Sequence, residues 1–559
     1  MKRFNTTAVC IPSKHYMVDL SERVSEIEKL VVEGKYLTIN CARQYGKTTT
    51  LRALQETLQS KYTVLSLSFE GVTKAGSQTE GEFVQTFSRL ILDQNEFFGI
   101  DIPSKTLETL EGYSEQEPEK LKMDTLFRTF RRWIARSKNP VVLIIDEVDS
   151  ATNNQVFLDF LGLLRDGYIA RESNNVPAFQ SVILAGVTDV RHLQSKIRND
   201  DQHKLNSPWN IAADFDIDMS LSKAGIKCML DEYEADHHTG MDTGAIAAQI
   251  RDYTNGYPFL VSRICELIDT RLAASRPSDA ARTSKQSPVL FNSLSEAWTS
   301  YGIDEAVRWI LSEENTLFES LMGKLENAPH LKSQLRKILL RGETIAHMPD
   351  DEEQKQLRMY GFIVNNHNTV AVANRIFEMR LYQYFIGESS SNDELRQAAA
   401  ASRSIFLSED GWLDIPKIMA HFITEHNRIH KDQTRRFLEE EGRERFLTYL
   451  APIINGTGTY SIEEQTRDHR RMDLVIHYLG RRYIIEMKIW RGERYKTEGE
   501  KQISDYLNYW GLDTGYLLSF SFNRNKKPGV ERIRVGSKVL FEGIMLRHLH
   551  TSVIALLGL

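Results

Sequence analysis

The sequence predicts a multidomain α/β protein whose N-terminal region contains a parallel sheet covered by helices on both faces. Three observations predict this fold class: a length of 559 residues, the alternation of strand-like and helix-like segments over residues 1–215, and the apolar character of those strands. A chain of this length is too long for a single domain, since a domain usually has ~100–200 residues. Parallel strands buried on both faces are apolar almost throughout, whereas half-exposed strands alternate.

Local patterns place the elements of this sheet. Strands are predicted at residues 36–40, 62–69, 141–145 and 181–186. Helical spacing of apolar positions between them predicts helices at residues 49–58, 82–92 and 126–135. Regular alternation of strands and helices is typical of a parallel sheet with helical layers. Residues 216–274 are predicted to be all-helical.

The composition is that of an ordinary water-soluble protein. Hydrophobic residues make up 41% and charged residues 26% of the chain, and no run approaches the ~18 apolar residues of a membrane span. The N-terminus lacks the apolar core of a secretory signal. The four cysteines lie far apart without a C-x-x-C pair, which argues against a zinc knuckle or a disulfide framework. We therefore expect a cytoplasmic protein with no membrane partner.

Charge is unevenly distributed along the chain. The net charge of −6 argues against a globally basic nucleic-acid-binding protein. From Arg436 onward, however, 20 Lys and Arg face 16 Asp and Glu, a net charge of +4 that leaves −10 for the preceding residues. A mildly basic C-terminal domain favours, weakly, a partner that carries phosphates.

A phosphate-binding loop is predicted between the first strand and the helix after it. The segment that starts at Cys41 reads C-A-R-Q-Y-G-K-T, so Cys41 replaces the first glycine of the G-x-x-x-x-G-K-[ST] pattern. Gly46 lets the backbone turn so that successive N–H groups face a phosphate. Lys47 would reach the β- and γ-phosphates, and Thr48 would ligate Mg²⁺. Thr49 is the last residue assigned to nucleotide binding here.

The third strand ends in two acids that such a loop requires. Asp146 and Glu147 follow its apolar residues directly. In P-loop ATPases an acid at this place lies near the metal, and a polar residue positions the attacking water. We therefore expect Asp146 to help hold Mg²⁺ and Glu147 to act in hydrolysis. The alternative is a buried strand followed by an acidic surface turn.

Further residues resemble signal-transducing and origin-recognition-type AAA+ ATPases, in which a helical lid is followed by a winged helix. The sequence N-G-Y-P that ends at Pro258 resembles their G-x-P signature. The resemblance implies ATP as the ligand, with Pro258 near the adenine and residues 16–19 in contact with the base. It also implies that Thr188 senses the γ-phosphate. Arg165 and Arg191 are candidates for an arginine finger.

The C-terminal region contains a predicted hairpin with two carboxylates and a lysine. Two strand-like segments flank Leu479 and Gly480. A turn centred there places Asp473 opposite Glu486, with Lys488 on the same face because side chains alternate. Two adjacent carboxylates repel unless a cation joins them, and their oxygens suit Mg²⁺ or Mn²⁺. The alternative is a half-exposed hairpin with a cross-strand salt bridge.

This D-x(12)-E-x-K layout resembles the PD-(D/E)XK nuclease superfamily, with methionine where the pattern has proline. The resemblance implies metal-dependent hydrolysis of phosphodiesters in which Lys488 orients or deprotonates the attacking water. Gln502 and Tyr506 match the Q-x-x-x-Y helix of its exonuclease-like branch and lie one helical turn apart. Glu444 is the candidate acidic metal ligand on the preceding helix, and Glu441 competes for that role.

Residues 317–385 predict helices followed by two strands around an Asn/His turn, which suggests a winged helix. The helix that would read DNA begins with four acids at residues 350–353. Acids at this end would be unfavourable against phosphates. We therefore expect a lid, dimerisation or relay role for the winged helix, and not sequence-specific DNA reading.

The motifs divide the chain into six segments: an ATPase domain (1–215), a helical lid (216–274), a linker (275–288), a winged-helix-like domain (289–386), a linker or helical segment (387–430) and a nuclease domain (431–559). Except for about residues 275–300 and 387–430, the chain resembles bacterial fusions of an AAA-ATPase-like region with a PD-(D/E)XK nuclease. That resemblance implies a nucleotide-regulated nuclease acting on nucleic acid, DNA in the first place, in defence against phage or foreign DNA.

Two other hypotheses stay open from the sequence. A nucleotide-switched signalling ATPase would use the hairpin domain to bind nucleic acid without cutting it, which Cys41 and the acidic body favour. An AAA+ motor tethered to DNA would form rings and require an arginine finger. The sequence also leaves open homo-oligomerisation, DNA against RNA, and endonuclease against exonuclease action.

Overall fold

The structure, a computed structural model, divides into two compact units. It describes residues 1–70, 72, 78–150, 155–187, 209, 211, 218–273, 291–341, 345–389, 394–429, 439–454, 457–465, 471–490, 493–521 and 528–546. The first unit comprises Met1–Arg251, Gly256–Glu266 and Asp350–Phe362. The second comprises Asp252–Asn255, Leu267–Pro349 and Ile363–Leu559. The linker expected at 275–288 lies outside the described residues.

A four-stranded parallel sheet forms the centre of the first unit. Its strands are β1 (Leu37–Asn40), β2 (Thr63–Ser68), β3 (Val141–Asp146) and β4 (Ser181–Gly186). They are ordered β1-β4-β3-β2, and all neighbours run parallel. Each lies within one residue of its predicted position. The predicted parallel sheet is therefore confirmed, and the carboxyl ends of β1 and β3 meet at one edge.

Helices cover both faces of this sheet, as predicted. They are α1 (Ser21–Val32), α2 (Lys47–Leu58), α3 (Glu80–Phe98), α4 (Ser104–Glu115), α5 (Met123–Ile134) and α6 (Gln155–Asn174). On β3, Val142 and Ile144 join the core formed with α1 and α2. Val141, Leu143 and Ile145 join the core formed with α3 to α6. Burial on both faces explains why β3 is apolar from Val141 to Ile145.

Three helices form the predicted all-helical region: α7 (Lys223–His237), α8 (Thr243–Thr254) and α9 (Pro258–Leu267). The Ser222 hydroxyl caps α7 by accepting the Gly225 N–H at 3.0 Å. Pro258 opens α9, where its fixed φ suits a first turn and its missing N–H is not needed. The first unit includes α7, α8 up to Arg251 and α9 up to Glu266.

Four helices precede the predicted winged-helix hairpin. They are α10 (Leu294–Ala297), α11 (Ser300–Ser312), α12 (Thr316–Glu326) and α13 (Pro329–Arg341), all in the second unit. The helix with the acidic start, α14 (Glu352–Met359), belongs to the first unit. Its capping residue Asp351 accepts the Gln354 N–H at 2.8 Å, and acids in this first turn complement the helix dipole.

The hairpin itself consists of β5 (Ile363–Asn366) and β6 (Thr369–Val372), which pair antiparallel. The two turn residues have positive φ, 49° at His367 and 65° at Asn368. Asparagine tolerates this conformation, and two consecutive positive φ values suit a two-residue hairpin turn. The expected Asn/His turn between two strands is therefore observed.

The remaining helices are α15 (Arg375–Ser389), α16 (Glu394–Ala401), α17 (Ile415–Ile429), α18 (Glu439–Ile454) and α19 (Glu493–Trp510). The segment 387–430, expected to be linker or helix, is thus largely helical where it is described. Its alanine run lies within α16, and alanine has the highest intrinsic helix propensity. In the described part of the chain, no helix has the length and apolar character that crossing a lipid bilayer requires.

A six-stranded mixed sheet forms the centre of the C-terminal region. Its strands are β7 (Gly458–Gln465), β8 (Arg471–Tyr478), β9 (Arg481–Trp490), β10 (Thr514–Ser521), β11 (Gly529–Val535) and β12 (Lys538–Leu546). The order is β11-β12-β10-β9-β8-β7. Strands β7, β8 and β9 pair antiparallel, whereas β9 and β10 run parallel through the crossover helix α19.

Helices pack on both faces of this second sheet. Leu517 of β10 lies in one apolar cluster with Ile503 and Leu507 of α19. On the other face, a Cβ placed on Gly543 of β12 would lie 2.6 Å from Met419 of α17. These close contacts define the α19 face and the α17 face of the sheet.

Candidate functional site

The predicted phosphate-binding loop connects β1 to α2. Gly46 directly precedes α2 with φ of 79°, and Gln44 has φ of 58°. A Cβ added to Gly46 would meet nothing within 4 Å. Glycine is therefore required there for the backbone conformation and not for space.

Lys47 is buried at the base of the loop, with 5% of its surface exposed. Its ammonium group donates hydrogen bonds to the carbonyl oxygens of Cys41 at 2.9 Å and Ala42 at 3.1 Å. A buried ammonium requires such acceptors, since desolvation is costly without them. The side chain of the lysine expected to bind phosphate is thus buried against the backbone of the phosphate-binding loop.

The two expected Mg²⁺ ligands of this region meet directly. The Thr48 hydroxyl donates to Oδ2 of Asp146 at 2.7 Å. Thr48 is an exposed residue in the first turn of α2, whereas Asp146 is the buried last residue of β3. A hydroxyl and a carboxylate oxygen are hard donors of the kind Mg²⁺ prefers, so these residues fit that ion.

Glu147 has an unusual backbone and a perturbed side chain. Its φ is 55°, a left-handed conformation that costs energy for a residue other than glycine. Its N–H donates to Oδ1 of Asp146 at 2.8 Å. Partial burial raises the pKa of Glu147, with Lys47 acting in the opposite direction. Strain and a raised pKa at one acid are typical of functional positions.

Cys41, which replaces the usual glycine, adds no charge to the loop. Burial raises the pKa of its thiol to about 11, and the neighbouring Lys47 offsets this only in part. The thiol is therefore neutral at pH 7, and it does not repel a phosphate. Its N–H donates to the Gly186 carbonyl at the end of β4 at 3.2 Å.

Thr49, also assigned to nucleotide binding, has a partner in the N-terminal segment. Its hydroxyl accepts the Cys10 N–H at 3.2 Å. Tyr16, in the segment expected to contact the base, is 1% exposed and donates its hydroxyl to Asp236 at 2.7 Å. Thr188 and Arg191 lie outside the described residues, whereas Arg165 lies on α6.

The G-Y-P sequence lies at the start of α9. Gly256 has φ of 72°, and an added Cβ would lie 2.3 Å from the Leu221 carbonyl oxygen, so only glycine fits. The Tyr257 hydroxyl donates to the Arg43 carbonyl of the phosphate-binding loop. Its ring meets the ring of Tyr45 edge-on, with centroids 4.6 Å apart.

In the C-terminal region, β8 and β9 pair in the predicted register. Leu474 pairs with Ile485 and Tyr478 with Arg481, across a turn in which Leu479 and Gly480 have φ of 47° and 74°. We expect the same register to continue by one step, which would pair Asp473 with Glu486. Asp473 lies on β8 and Lys488 on β9.

Glu486 is fully buried, with 0% of its surface exposed. Alternation along β9 puts it on the same face as Ile484, which packs with Tyr506 in one cluster. Gln502 donates from Nε2 to the Tyr506 hydroxyl at 2.7 Å, so this expected pair lies together on α19. Among the described side chains, no three His, Cys, Asp or Glu converge as a metal site.

Glu444, the proposed ligand from the preceding helix, lies on α18. Its carboxylate forms an ion pair with Arg336 of α13 at 3.5 Å. A Cβ on Gly442 of the same helix would lie 2.4 Å from the Phe520 ring. Phe520 alternates with Ser519 along β10, so α18 approaches the sheet from the side opposite α19.

A second buried carboxylate on the α19 face was not predicted. Glu542 of β12 is 0% exposed, and its Oε1 accepts the Ser519 hydroxyl at 3.0 Å. Leu517 of β10 pairs with Glu486 on one side and with Glu542 on the other. No local sequence signal identified Glu542, because its row across the sheet depends on the strand order.

Comparison with known protein families decides the class of the N-terminal region. Residues 4–298, more than half of the chain, match the family model for the AAA-like domain. The chain belongs to the AAA-like domain family. No curated protein matches this chain.

Several solved structures are similar to the AAA-like chain. A Walker-type ATPase of Pyrococcus abyssi has 14% identity and a TM-score of 0.42, covering 68% of this chain and 99% of its own. The ORC2 protein of Aeropyrum pernix, in ADPNP-ADP complexes, has 14% identity and a TM-score of 0.32, covering 69% and 98%. The ORC1 protein of Aeropyrum pernix in complex with DNA has 11% identity and a TM-score of 0.27, covering 67% and 94%.

Within the AAA-like domain, the structure adds two residues that the sequence analysis missed. Asp149 accepts the Val187 N–H at Oδ2 at 2.6 Å, which ties the acidic turn after β3 to the end of β4. Tyr257 ties the start of α9 to the phosphate-binding loop. The D-E-V-D spacing was a local signal for Asp149, whereas the partner of Tyr257 is 214 residues away.

Proposed function

We propose that the AAA-like domain binds ATP with Mg²⁺ and hydrolyses it. We further propose that the C-terminal sheet carries a metal-dependent nuclease, regulated by that nucleotide and acting on DNA in the first place. The observation that carries ATP binding is the hydrogen bond between Thr48 and Asp146. It joins the two magnesium ligands expected from a P-loop and an acidic strand.

Each residue of the loop has a defined part in this proposal. Backbone N–H groups around Gly46 face the phosphate chain, and the Lys47 ammonium neutralises part of its charge. The oxygens of Thr48 and Asp146 would hold Mg²⁺, which would neutralise charge on the phosphates. Glu147, strained and partly desolvated, positions the attacking water.

Titration with nucleotide in the presence and absence of Mg²⁺ tests the site. We expect Thr48→Ala to bind ATP no better with Mg²⁺ than with EDTA, because it lacks the hydroxyl ligand. Thr57→Ala is the matched control, since Thr57 lies on the same helix and its hydroxyl bonds only within α2, to the Ala53 carbonyl. Wild-type Mg²⁺ dependence in Thr48→Ala would refute the proposed metal site.

The nuclease proposal is supported by the register of the β8–β9 hairpin and by the burial of Glu486. A fully buried carboxylate is costly unless charge or hydrogen bonds compensate it. Asp473 and Glu486 at opposing positions supply oxygen donors that suit Mg²⁺ or Mn²⁺. When bound, such an ion would stabilise charge on the scissile phosphodiester and acidify water, while Lys488 orients that water.

Cleavage of supercoiled, linear and single-stranded DNA, with Mg²⁺ and with or without ATP, tests this activity. We expect Lys488→Ala and Glu486→Gln to abolish cleavage, and Lys501→Ala, an exposed lysine of α19, to retain it. Retained DNA binding with no cleavage by the wild-type chain would favour the rival hypothesis of a nucleotide-switched binding protein.

The biological role that we propose is defence against phage or foreign DNA in the bacterial cytoplasm. It rests on the resemblance of the chain to bacterial fusions of an AAA-ATPase-like region with a PD-(D/E)XK nuclease. Phage plating on bacteria that express the wild-type chain or Glu486→Gln tests this role. Equal plating efficiencies would exclude a nuclease-dependent defence against the phages used.

A further inference from the structure

We propose that Tyr257 positions the phosphate-binding loop and transmits its nucleotide occupancy to the second unit. This inference rests on the proposed binding of ATP at the loop. It adds a residue that acts on the loop backbone and is not itself a proposed ligand of the nucleotide or the metal. The contact that carries it is the hydrogen bond from the Tyr257 hydroxyl to the Arg43 carbonyl.

The tyrosine is held in one orientation. It is 2% exposed, and its ring packs edge-on against Tyr45 of the loop. Burial raises the pKa of Tyr257 well above its ordinary value, so the phenol stays protonated and remains a donor at physiological pH. If the loop moved away, this buried hydroxyl would have neither a protein partner nor water to bond to, which is costly.

The bond completes a set of restraints on the loop backbone. The Lys47 ammonium donates hydrogen bonds to the carbonyls of Cys41 and Ala42. The Tyr257 hydroxyl donates to the next carbonyl, that of Arg43. Carbonyl oxygens repel phosphate, whereas N–H groups attract it. Restraining three successive carbonyls therefore prepares the loop for an anion before the anion arrives, which lowers the cost of ordering on binding.

Tyr257 lies where the chain passes from the second unit into the first. Asn255 belongs to the second unit and donates from Nδ2 to the Ala373 carbonyl at 2.9 Å. Asp252, three residues earlier, pairs with Arg375 in that unit. Gly256 admits no side chain and accepts the Leu221 N–H at 2.8 Å. A short, restrained segment thus joins anchors in the second unit to a hydroxyl on the loop.

A second crossing of the chain reaches the neighbouring loop residue. Gly361 is in the first unit, two residues before the chain enters the second unit at Ile363. A Cβ added to Gly361 would lie 2.7 Å from the Cβ of Ala42. Ala42 and Arg43 are therefore each contacted next to a crossing, so a shift of this dipeptide acts on both connections at once.

Nucleotide affinity is the first test of this role. We expect Tyr257→Phe to bind ATP and ADP about 3- to 10-fold more weakly, the effect of losing one hydrogen bond that orders the loop. The matched control is Tyr36→Phe, because Tyr36 is equally buried and donates to a backbone carbonyl, that of Phe179, away from the loop. Unchanged affinity in Tyr257→Phe, or an equal loss in Tyr36→Phe, would overturn the positioning role.

Hydrogen exchange at saturating nucleotide tests the transmission. In the wild-type chain we expect nucleotide to protect the amides of α9 and of the β5–β6 hairpin, and we expect most of that protection to be lost in Tyr257→Phe. Asn255→Gly leaves the Tyr257 hydroxyl in place, and glycine accepts the positive φ of position 255, 48°. The substitution removes only the side chain that bonds to the Ala373 carbonyl. It should therefore keep wild-type affinity and lose protection of the hairpin alone.

The outcomes separate this inference from the proposed function. A wild-type chain that binds no nucleotide would refute ATP binding itself. Wild-type binding that Lys47→Ala abolishes, together with full protection in both Tyr257→Phe and Asn255→Gly, would refute only the transmission through Tyr257.

Discussion

Glu147 combines a left-handed backbone, partial burial and a raised pKa in one side chain. A conformation of this kind costs ~1–3 kcal/mol, so the surrounding structure must enforce it. Asp146 contributes to that enforcement by accepting the Glu147 N–H while its other oxygen holds Thr48. One carboxylate thus fixes Thr48, a proposed magnesium ligand, relative to Glu147, the proposed hydrolytic acid.

From this geometry we expect Glu147→Gln to retain ATP binding and to lose hydrolysis by a factor of ~10² to 10⁴, the usual contribution of a positioned acid or base. The amide keeps the size of the side chain but cannot polarise water in the same way. Steady-state phosphate release and nucleotide titration measure the two effects separately. Glu111→Gln, an exposed acid of α4, is the control, and a hydrolysis rate equal to its rate would contradict the role.

Gly256 offers a test of packing at the level of one residue. Its φ of 72° and the Leu221 carbonyl, 2.3 Å from an added Cβ, both oppose a side chain. Gly240 has a similar φ of 78°, but a Cβ there would meet nothing within 4 Å. The two glycines therefore share the backbone strain and differ only in space.

We expect Gly240→Ala to lower the free energy of unfolding by ~1–2 kcal/mol, the cost of a left-handed alanine. Gly256→Ala should cost more, because the backbone of Leu221 must also move. Urea denaturation of the two variants and the wild-type chain measures the difference. Equal losses would show that the neighbouring backbone yields freely.

Secondary structure elements were predicted well where local patterns determine them. The strands β1 to β4 follow from apolar runs, and the β8–β9 register follows from a two-residue turn at Leu479 and Gly480. Contacts that depend on chain topology were not predicted. The Tyr257–Arg43 bond spans 214 residues, and the Ser519–Glu542 bond requires β12 to lie beside β10.

The same limit applies to α14. Its acidic first turn was recognised in the sequence, and its likeness to a recognition helix led us to place it in a separate winged-helix-like domain. The structure groups Asp350–Phe362 in the first unit, together with the phosphate-binding loop, and Gly361 lies against Ala42. Composition around the helix carries no information about this grouping, because Ala42, which Gly361 contacts, lies more than 300 positions earlier.

The conformation of the β8–β9 turn predicts how substitutions at Leu479 affect the stability of the hairpin. Leu479 has φ of 47° and exposes 38% of its surface, so its apolar side chain gains little there. Asparagine adopts such a conformation more readily. We expect Leu479→Asn to stabilise the hairpin by ~0.5–1 kcal/mol and Leu479→Ala not to do so. Hydrogen exchange of the β8 and β9 amides measures this, and equal behaviour of the two variants would contradict the turn-strain explanation.

In the whole molecule, the two proposed sites lie in parts of the sequence that carry opposite net charge. The net charge of +4 lies in the part of the sequence with the proposed nuclease, and −10 lies in the remainder, which contains the nucleotide loop. Nucleic acid binding through cations becomes weaker as salt rises, because counterions are released. An acidic AAA-like domain gains no affinity for DNA in this way, so its contribution to DNA cleavage is expected to be regulatory.

Regulation across the chain gives the last prediction. We expect ATP to stimulate DNA cleavage by the wild-type chain, and Lys47→Ala to remove the stimulation without lowering the cleavage seen in the absence of ATP. The reason is that Lys47 is buried in the loop whose carbonyls Cys41 and Ala42 it restrains, far along the sequence from Glu486. Lys29→Ala, an exposed lysine of α1, should keep the stimulation.

Cleavage assays with and without ATP for these three chains, with oligomeric state measured by light scattering, decide the matter. Stimulation that persists in Lys47→Ala would mean that ATP acts elsewhere, for example on the hairpin domain. Loss of cleavage in Lys47→Ala even without ATP would instead indicate that the loop supports the fold of the chain. Loss of stimulation alone is the outcome that a nucleotide-regulated nuclease requires, because it separates the binding of nucleotide from the chemistry at Glu486 and Lys488.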